Sequence, residues 1–529
     1  DQVYNAPVTR LGNVRMTGDN ISINGDVNDD GVGSPAGDLQ LNATGDVTTD
    51  NIGDSDPIDT LTIVDANSVT VDGNVTLDND FEQETVVTNT TINGDVNVGD
   101  RTRIDDGDVV VNGSFTQANN GFGHVGFNGG NASLTVNTGA VSIGGGSGDF
   151  DIGRTDITST DTVRTVDFSN AASTTIDVTD LRLGTMPSSA NPGSTAIGNL
   201  TLSAGGMNTL TATSVRLGDS PGAGNSSTPS TLVFGGAVNN VNVNTFLVGH
   251  LKSRGTVTIA NGGTLNLSGD SNTATDLILG DNNVNTGTGA IGIFDMTGGT
   301  LNATLDELVV GRHDQGGGQG DGTLTFEAGT ITANSVVLAN PSFGGGSSAN
   351  PQNTDGTINQ NGGELIVSGP MTSEGGTADY NLADGTLRFQ TLQNNGGTFT
   401  FDWTGGVIAN VTGQDLTNVD VDIDMTGAGP WTADIATGQT GTFQSAADLT
   451  GTGDLTKIGG GTLALAGTNT YSGATNIDAG TLALSNATNN NIANSTPITV
   501  AAGTFLDVTA LAGGRLDLAA GQTLQGEGD

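Results

Sequence analysis

"GTVTIANGGTLNLSGDSNTATDLILGD", Gly255 to Asp281, decides the fold. It holds three short runs, Val257 and Ile259, Leu265 and Leu267, and Leu277 and Leu279, each alternating with polar neighbours. Each run can therefore bury one face and wet the other. Gly, Asn and Ser break the chain between the runs. Three strands and three bends make one turn of a coil, and such a coil buries its open faces only against copies of itself.

The last run ends in an apolar–Gly pair, and that ending recurs along the chain. It is "FDIGR" at Gly153, "LRLGT" at Gly184, "VRLGD" at Gly218, "FLVGH" at Gly249, "LILGD" at Gly280 and "LVVGR" at Gly311. By subtraction the spacings are 31, 34, 31, 31 and 31, and "VVLAN" puts Ala339 in the same place after 28. A period this constant predicts an all-β parallel β-helix, a solenoid with about 31 residues per coil, every strand pairing with its equivalent about 4.8 Å away. An antiparallel sandwich would need a pairing turn between neighbouring runs, and nothing here enforces one.

Outward from this centre the grammar changes in two places. Residues 1–120 repeat it with a looser period, as in "LTIVDANSVTVDGNVTL" (61–77) and "TTINGDVNV" (90–98). Residues 121–450 hold the regular array, and 451–529 shift register again. No hydrophilic linker separates these zones, so the expectation is one continuous rod. The gaps "DSPGAGNSSTPS" after Gly218 and "RHDQGGGQGDG" after Gly311 fall at the same corner, which predicts loop insertions along one edge.

Composition excludes several classes. Of 529 residues, 34% are hydrophobic and 4% aromatic, while 85 are Gly, too few large side chains for a conventional globular core. Net charge is −43, from 57 acidic against 14 basic residues, and only Lys252 and Lys457 are lysines. That surface repels phosphate backbones, so nucleic acid is excluded as a partner. It attracts cations instead, which fits a saline or calcium-rich exterior. There is no cysteine for a disulfide or thiolate site, and no apolar run of about 18 residues to span a bilayer as a helix. The opening on Asp1 is consistent with a removed secretory leader.

One stretch resembles a known family. "GTGDLTKIGGGTLALAGTNTYSGATNIDAGTLAL", Gly451 to Leu484, is similar to the autotransporter-associated β-strand repeat of bacterial surface passengers, and "LAAGQTLQGEG" (518–528) resembles the segment that follows it there. The resemblance implies a right-handed parallel β-helix, extracellular at the bacterial cell surface, with no catalytic residue. It places Gly460, Gly461, Gly473 and Gly480 at turns. Leu455, Leu463, Leu465, Ile477, Leu482 and Leu484 face the core, and Tyr471 covers a corner. The stretch reads as a coil without loop insertions.

Candidate sites are few. "GDVNDDGVGSPAGD" (25–38) places oxygen ligands at Asp26, Asn28 and Asp30 before Gly31, as in a calcium loop, with Asp38 one place late for the closing acid. Calcium is the only cofactor expected. Against it, "INGDVN" recurs at 92–97 with no loop after it, which makes Gly-Asp a coil corner. "GGSGDFDIG" (145–153) resembles a single glycine–aspartate calcium nonapeptide with Phe150 in an aspartate position. "NVDVDIDMTG" (418–427) points Asp420, Asp422 and Asp424 away from Val419, Val421, Ile423 and Met425, a solvated face able to take divalent ions diffusely.

Polysaccharide lyases and hydrolases also use β-helices, and such chemistry needs paired carboxylates or a metal with a basic residue at one place. "GRTD" (153–156) and "GRHD" (311–314) are the clusters that combine both signs, both at flexible corners, while His124, His250 and His313 form no readable triad. Two Trp and three Tyr leave few rings for sugar stacking. The expectation is a non-enzymatic structural protein whose open coil ends stack on further copies as a fibre, sheath or filament. The alternative is an adhesin that binds glycans or cells through the loop edge.

Overall fold

The computed structural model describes the chain except residues 11, 31–35, 119–122, 127–129, 155–161, 187–195, 221–227, 271–272, 283–288, 314–318 and 342–353. It forms two compact units, Asp1–Thr275 with Asn282–Ile293, and Asp276–Asp281 with Phe294–Asp529. The described secondary structure is β-strand apart from one short 3-10 turn, Ala512–Gly514.

In the first unit the strands pair in parallel with their equivalents one coil on, which makes it a parallel β-helix. Leu183 lies beside Leu217, and Leu217 beside Val248. These offsets of 34 and 31, by subtraction, are the glycine spacings read from the sequence. Earlier coils are shorter: Leu61 pairs with Phe81, Val96 with Phe115 and Val109 with Leu134, offsets of 20, 19 and 25. The alternation works as expected. Leu134, Val166, Leu200, Leu232 and Val257 stack in one inward column, all buried, while the residues between them face outward. Each buried aliphatic contributes about 1.5–3 kcal/mol relative to exposure. Small branched side chains suffice because every one of them meets its own equivalent above and below.

The recurring glycine marks a sharp corner. Gly218 has φ +67°, and a Cβ there would lie 2.6 Å from the carbonyl oxygen of Arg254 in the next coil. Its equivalents at 153, 184, 249, 280 and 311 have φ of 69–77°, a left-handed conformation that costs other residues about 1–2 kcal/mol. Ala339 adopts it at φ +47° without being glycine.

The second unit has the same construction. Leu308, Val336 and Met371 stack in register, as do Leu365, Leu387, Ile408 and Ala433. Ile358, Tyr380, Phe401 and Ile423 form a thicker column in which the rings of Tyr380 and Phe401 stack at 5.1 Å. The Tyr380 hydroxyl donates to Gln360 Oε1 at 2.5 Å, so the buried phenol is satisfied.

The stretch 455–484 departs from expectation in one respect. Leu455 pairs with Thr475 and Leu463 with Leu482, offsets of 20 and 19, so these thirty residues contain parts of two successive short coils. The likeness of "GTLAL" at 461–465 and 480–484 is the likeness of stacked neighbours. Leu455, Leu463, Leu465, Ile477, Leu482 and Leu484 are all fully buried, as the resemblance implied.

Candidate functional site

The densest chemistry of the first unit is a ladder on the outward face of five stacked strands. Arg103 lies beside His124, His124 beside Asp151, Asp151 beside Arg182, and Arg182 beside Arg216. Phe150 and Ile152 take the inward places around Asp151, as Leu181 and Leu183 do around Arg182, so the charged side chains must point outward. Yet Asp151 is fully buried. Arg182 Nε donates to Asp151 Oδ1 at 2.6 Å and its Nη2 reaches Asp149, while Arg154 Nη1 stands 3.4 Å from Asp151 Oδ2. Arg103 grips Asp105 through Nε and Nη2 at 3.0 and 2.7 Å, with His124 Nε2 3.5 Å from the same carboxylate. At the far end His250 Nδ1 lies 2.8 Å from Asp219 and Arg216 3.6 Å from it.

Electrostatics follow burial and pairing. Burial raises Asp151 above the usual aspartate range despite Arg182 and Arg154. At Asp219 burial acts the same way, but the bond to His250 and the charges of His250 and Arg216 outweigh it and hold the carboxyl low. Asp105 is likewise held low, by His124 and Arg103 against burial. The ladder and its flank thus gather Arg103, Arg154, Arg182, Arg216, His124 and His250 in a chain of net charge −43, and neutralise them locally. The arrangement can pin each coil to the next, because every pair is about one coil apart or within one corner. The ladder was written in the sequence: aligning the coils on Gly153, Gly184 and Gly218 puts Asp151, Arg182 and Arg216 in one column. Reading clusters only along the chain hides it. In the second unit the corner of "GRHD" does related work, with Arg312 Nε and Nη2 clasping Asp281 at 2.8 and 2.9 Å. Asp156 and Asp314, the last residues of the two motifs, lie outside the described residues.

The residues of the calcium-like loop serve the coil corners. Asp26 Oδ1 accepts from the backbone N–H and the side-chain amide of Asn51 at 3.3 and 2.8 Å. Asn51 then accepts from Asn74 N, Asn74 from Asp95 N, and Asp95 from Ser114 N, at 2.7–2.8 Å. Asp26 and the Asp95 of "INGDVN" therefore occupy one hydrogen-bonded column, stacking of the kind that stabilises repetitive β-structure. Asn28 Oδ1 accepts from Ser55 N at 3.2 Å, and Asp38 Oδ2 from Asn13 Nδ2 at 2.8 Å. The Asp30 N–H donates to Asp29 Oδ1 at 2.7 Å. Gly31 lies outside the described residues.

The buried acid of this loop is Asp29, which sequence reasoning passed over. The Gly37 N–H at 2.7 Å and the guanidinium of Arg10 at 3.2 Å hold it below the usual carboxylate range. Among the described residues no group of three or more His, Cys, Asp or Glu stands close enough to hold a metal ion. Phe150 of the glycine–aspartate stretch is core. Asp420, Asp422 and Asp424 do face outward, and each accepts a bond from the adjacent coil: Asn394 N at 2.8 Å, Asp448 N at 2.9 Å and Thr450 Oγ1 at 3.1 Å.

In 455–484 two polar side chains lie in the core. The alternation from Leu455 turns Lys457 inward, where its ammonium donates to the carbonyls of Ile458, Gly459 and Ala479 at 2.6, 2.8 and 3.1 Å. Burial pulls it down to about 8. Tyr471, expected to cover a corner, is wholly enclosed. Its hydroxyl meets Thr475 Oγ1 at 2.6 Å, which meets Ser495 Oγ at 2.7 Å, and burial pushes the phenol up to about 12.

The family model of the passenger-associated-transport-repeat matches residues 455–484, the same residues whose two short coils carry Lys457 and Tyr471 inside. The chain carries an autotransporter passenger repeat. That repeat and the all-parallel strand pairing fit an autotransporter passenger β-helix protein, and the repeat points to a secreted, surface-associated passenger. No curated protein and no solved structure matches the chain. Among the described residues no helix is long and apolar enough to cross a membrane, which leaves β-barrels aside.

Proposed function

We propose that this passenger β-helix is an extracellular structural protein whose coils assemble end to end into a surface fibre, sheath or filament. One observation carries the reading. Beside the stacked strands Ile498–Val500 and Leu524–Gly526, the side chains of Val500, Leu506, Val508, Leu516 and Leu524, with Gln525 and Asp529, line an open, partly apolar hollow of about 340 Å³. Phe505, Leu518 and Leu524 remain exposed. Strand edges above an apolar floor are complementary to one further coil of the same kind, whichever chain supplies it. Electron microscopy of the purified protein at high concentration, with and without calcium, tests the assembly: ordered filaments support it, and monodisperse particles in both conditions overturn it.

A second reading, an adhesin that meets glycans or cell surfaces through the loop edge, is favoured by length variation between coils. Successive corners lie 28 to 34 residues apart while the strands keep register. Differences in coil length are thus accepted without disturbing the stack. Saturable binding lost on shortening the segments after Gly218 and Gly311 would support it. Release of unsaturated sugars from pectin or alginate would instead establish a lyase. Calcium enters the proposal through Asp26, Asn28, Asp30 and Asp38: a rise in Tm greater than sodium chloride gives at equal ionic strength, lost in D26A, would assign the ion to them.

A further inference from the structure

The first unit carries a polar groove of about 260 Å³ at the bend between two faces of its coils. Asp177 stands at one end and Asp270 at the other. In register, Asp177 lies beside Thr211, Thr211 beside Asn242, and Asn242 beside Ser268, two residues before Asp270. Three coil steps and two residues along the strand set the two aspartate positions about 16 Å apart. They are therefore too distant to share a cation, and each repels an anion.

Between the ends the groove offers mixed hydrogen-bonding chemistry over an apolar floor. Thr211 is half-buried, and Thr213 and Asn244 are exposed, while Val178 and Ala212 beneath them are buried. Asn244 Oδ1 accepts from the Asp270 N–H at 3.0 Å, which anchors the amide and leaves its Nδ2 to donate. The backbone carbonyl of Asp177 accepts from Gly146 N at 3.0 Å and fixes that rim. Carboxylates accept, an amide nitrogen donates, and threonine hydroxyls do both. A ligand that satisfies this set carries many hydroxyls, no charge, and C–H faces for the floor. The groove is open on its outer side, so a sugar chain seated in its volume of about 260 Å³ would lie partly in solvent.

We propose that this groove binds a short uncharged oligosaccharide laid across the coils between Asp177 and Asp270. The site gives the glycan-binding reading a specific place, and it lies away from the corner after Gly218. It rests on that reading only for where such a glycan would be met.

The test is calorimetric titration of the purified full chain with cellotriose, maltotriose, chitotriose and trigalacturonate. Saturable binding of at least one neutral trisaccharide is expected, with none of trigalacturonate. D177A, D270A and T213V should each weaken it, the carboxylate variants by about tenfold or more, as loss of a charged hydrogen bond predicts. D422A, on the other unit, should leave it unchanged. Circular dichroism and Tm confirm that each variant is folded. No binding of any neutral trisaccharide at millimolar concentration, equal binding of trigalacturonate, or binding that survives D177A and D270A would overturn the site. Binding lost on shortening the segment after Gly218 but kept in D177A would overturn the groove while supporting the loop edge.

Discussion

Arg182 Nε lies 2.6 Å from Asp151 Oδ1, although 31 residues separate the two by subtraction. One coil of chain brings them together, and the carboxylate it covers is fully buried. Removing the arginine leaves that charge, among the described residues, with Arg154 at 3.4 Å. Arg182→Ala is therefore expected to destabilise the first unit by about 3 kcal/mol, whereas Asp151→Leu with Arg182→Leu should recover most of it. Burial already raises Asp151, so its protonated form suits the folded state better than the unfolded. That contribution is full below the ordinary aspartate value and fades as pH rises through the raised one. The deficit of Arg182→Ala in denaturant titrations should accordingly shrink as the pH falls.

Gly280 and Ala339 share one corner position with opposite fitness. Gly280 has φ +69°, and a Cβ there would collide with the Asp321 carbonyl. Gly280→Ala should destabilise the second unit by more than the conformational cost of about 1–2 kcal/mol, read as a fall in melting temperature. At Ala339 the same conformation is already occupied by a Cβ, so Ala339→Gly should be neutral to stabilising, by up to about 1 kcal/mol. Equal losses in both variants would contradict the corner assignment.

Lys457 makes the repeat pH-sensitive. Its folded value is pulled down to about 8 from an ordinary 10.5, so between those values the unfolded chain binds more protons. The burial cost is full below pH 8 and is relieved as pH rises toward 10.5, which predicts a stability that climbs over this window. Lys457→Met should abolish the slope. It also leaves the carbonyls of Gly459 and Ala479 without the ammonium, a loss of roughly 1–3 kcal/mol each set against the relieved burial of the charge, while the Ile458 carbonyl keeps the Ile435 N–H at 3.2 Å. Calorimetry at pH 7, 9 and 10 reads both effects.

Tyr471→Phe removes one end of the hydroxyl chain through Thr475 to Ser495 and keeps the ring in place. A loss of about 1 kcal/mol is expected, against about 3–5 for Tyr471→Ala, which also opens a cavity.

Self-repulsion at net charge −43 should yield to screening. Melting temperature is expected to rise with sodium chloride up to molar concentration, and a flat response would contradict self-repulsion as a limit on stability.

Much of the fold was legible because a β-helix repeats a local rule. Alternation assigned Val257, Leu265 and Leu279 inward, and the glycine spacing reproduced coil offsets of 31 and 34. The short coils at 455–484 were harder to read, since "GTLAL" looks alike whether two copies lie in one coil or in two stacked ones. Site chemistry was least legible. Oxygen donors at alternate places mark Asp26 and Asp30 as calcium-like along the chain, while the register that joins Asp26 to Asn51 is invisible there.

The sequence by itself determined the parallel coil, its inward columns and its glycine corners, since period and backbone preference act over a few residues. Only the tertiary structure decided which charges meet. Asp29 faces Arg10, Asp151 faces Arg182, and Lys457 caps three carbonyls, because coil length and stacking register, rather than nearness in the chain, set what stands 3 Å away.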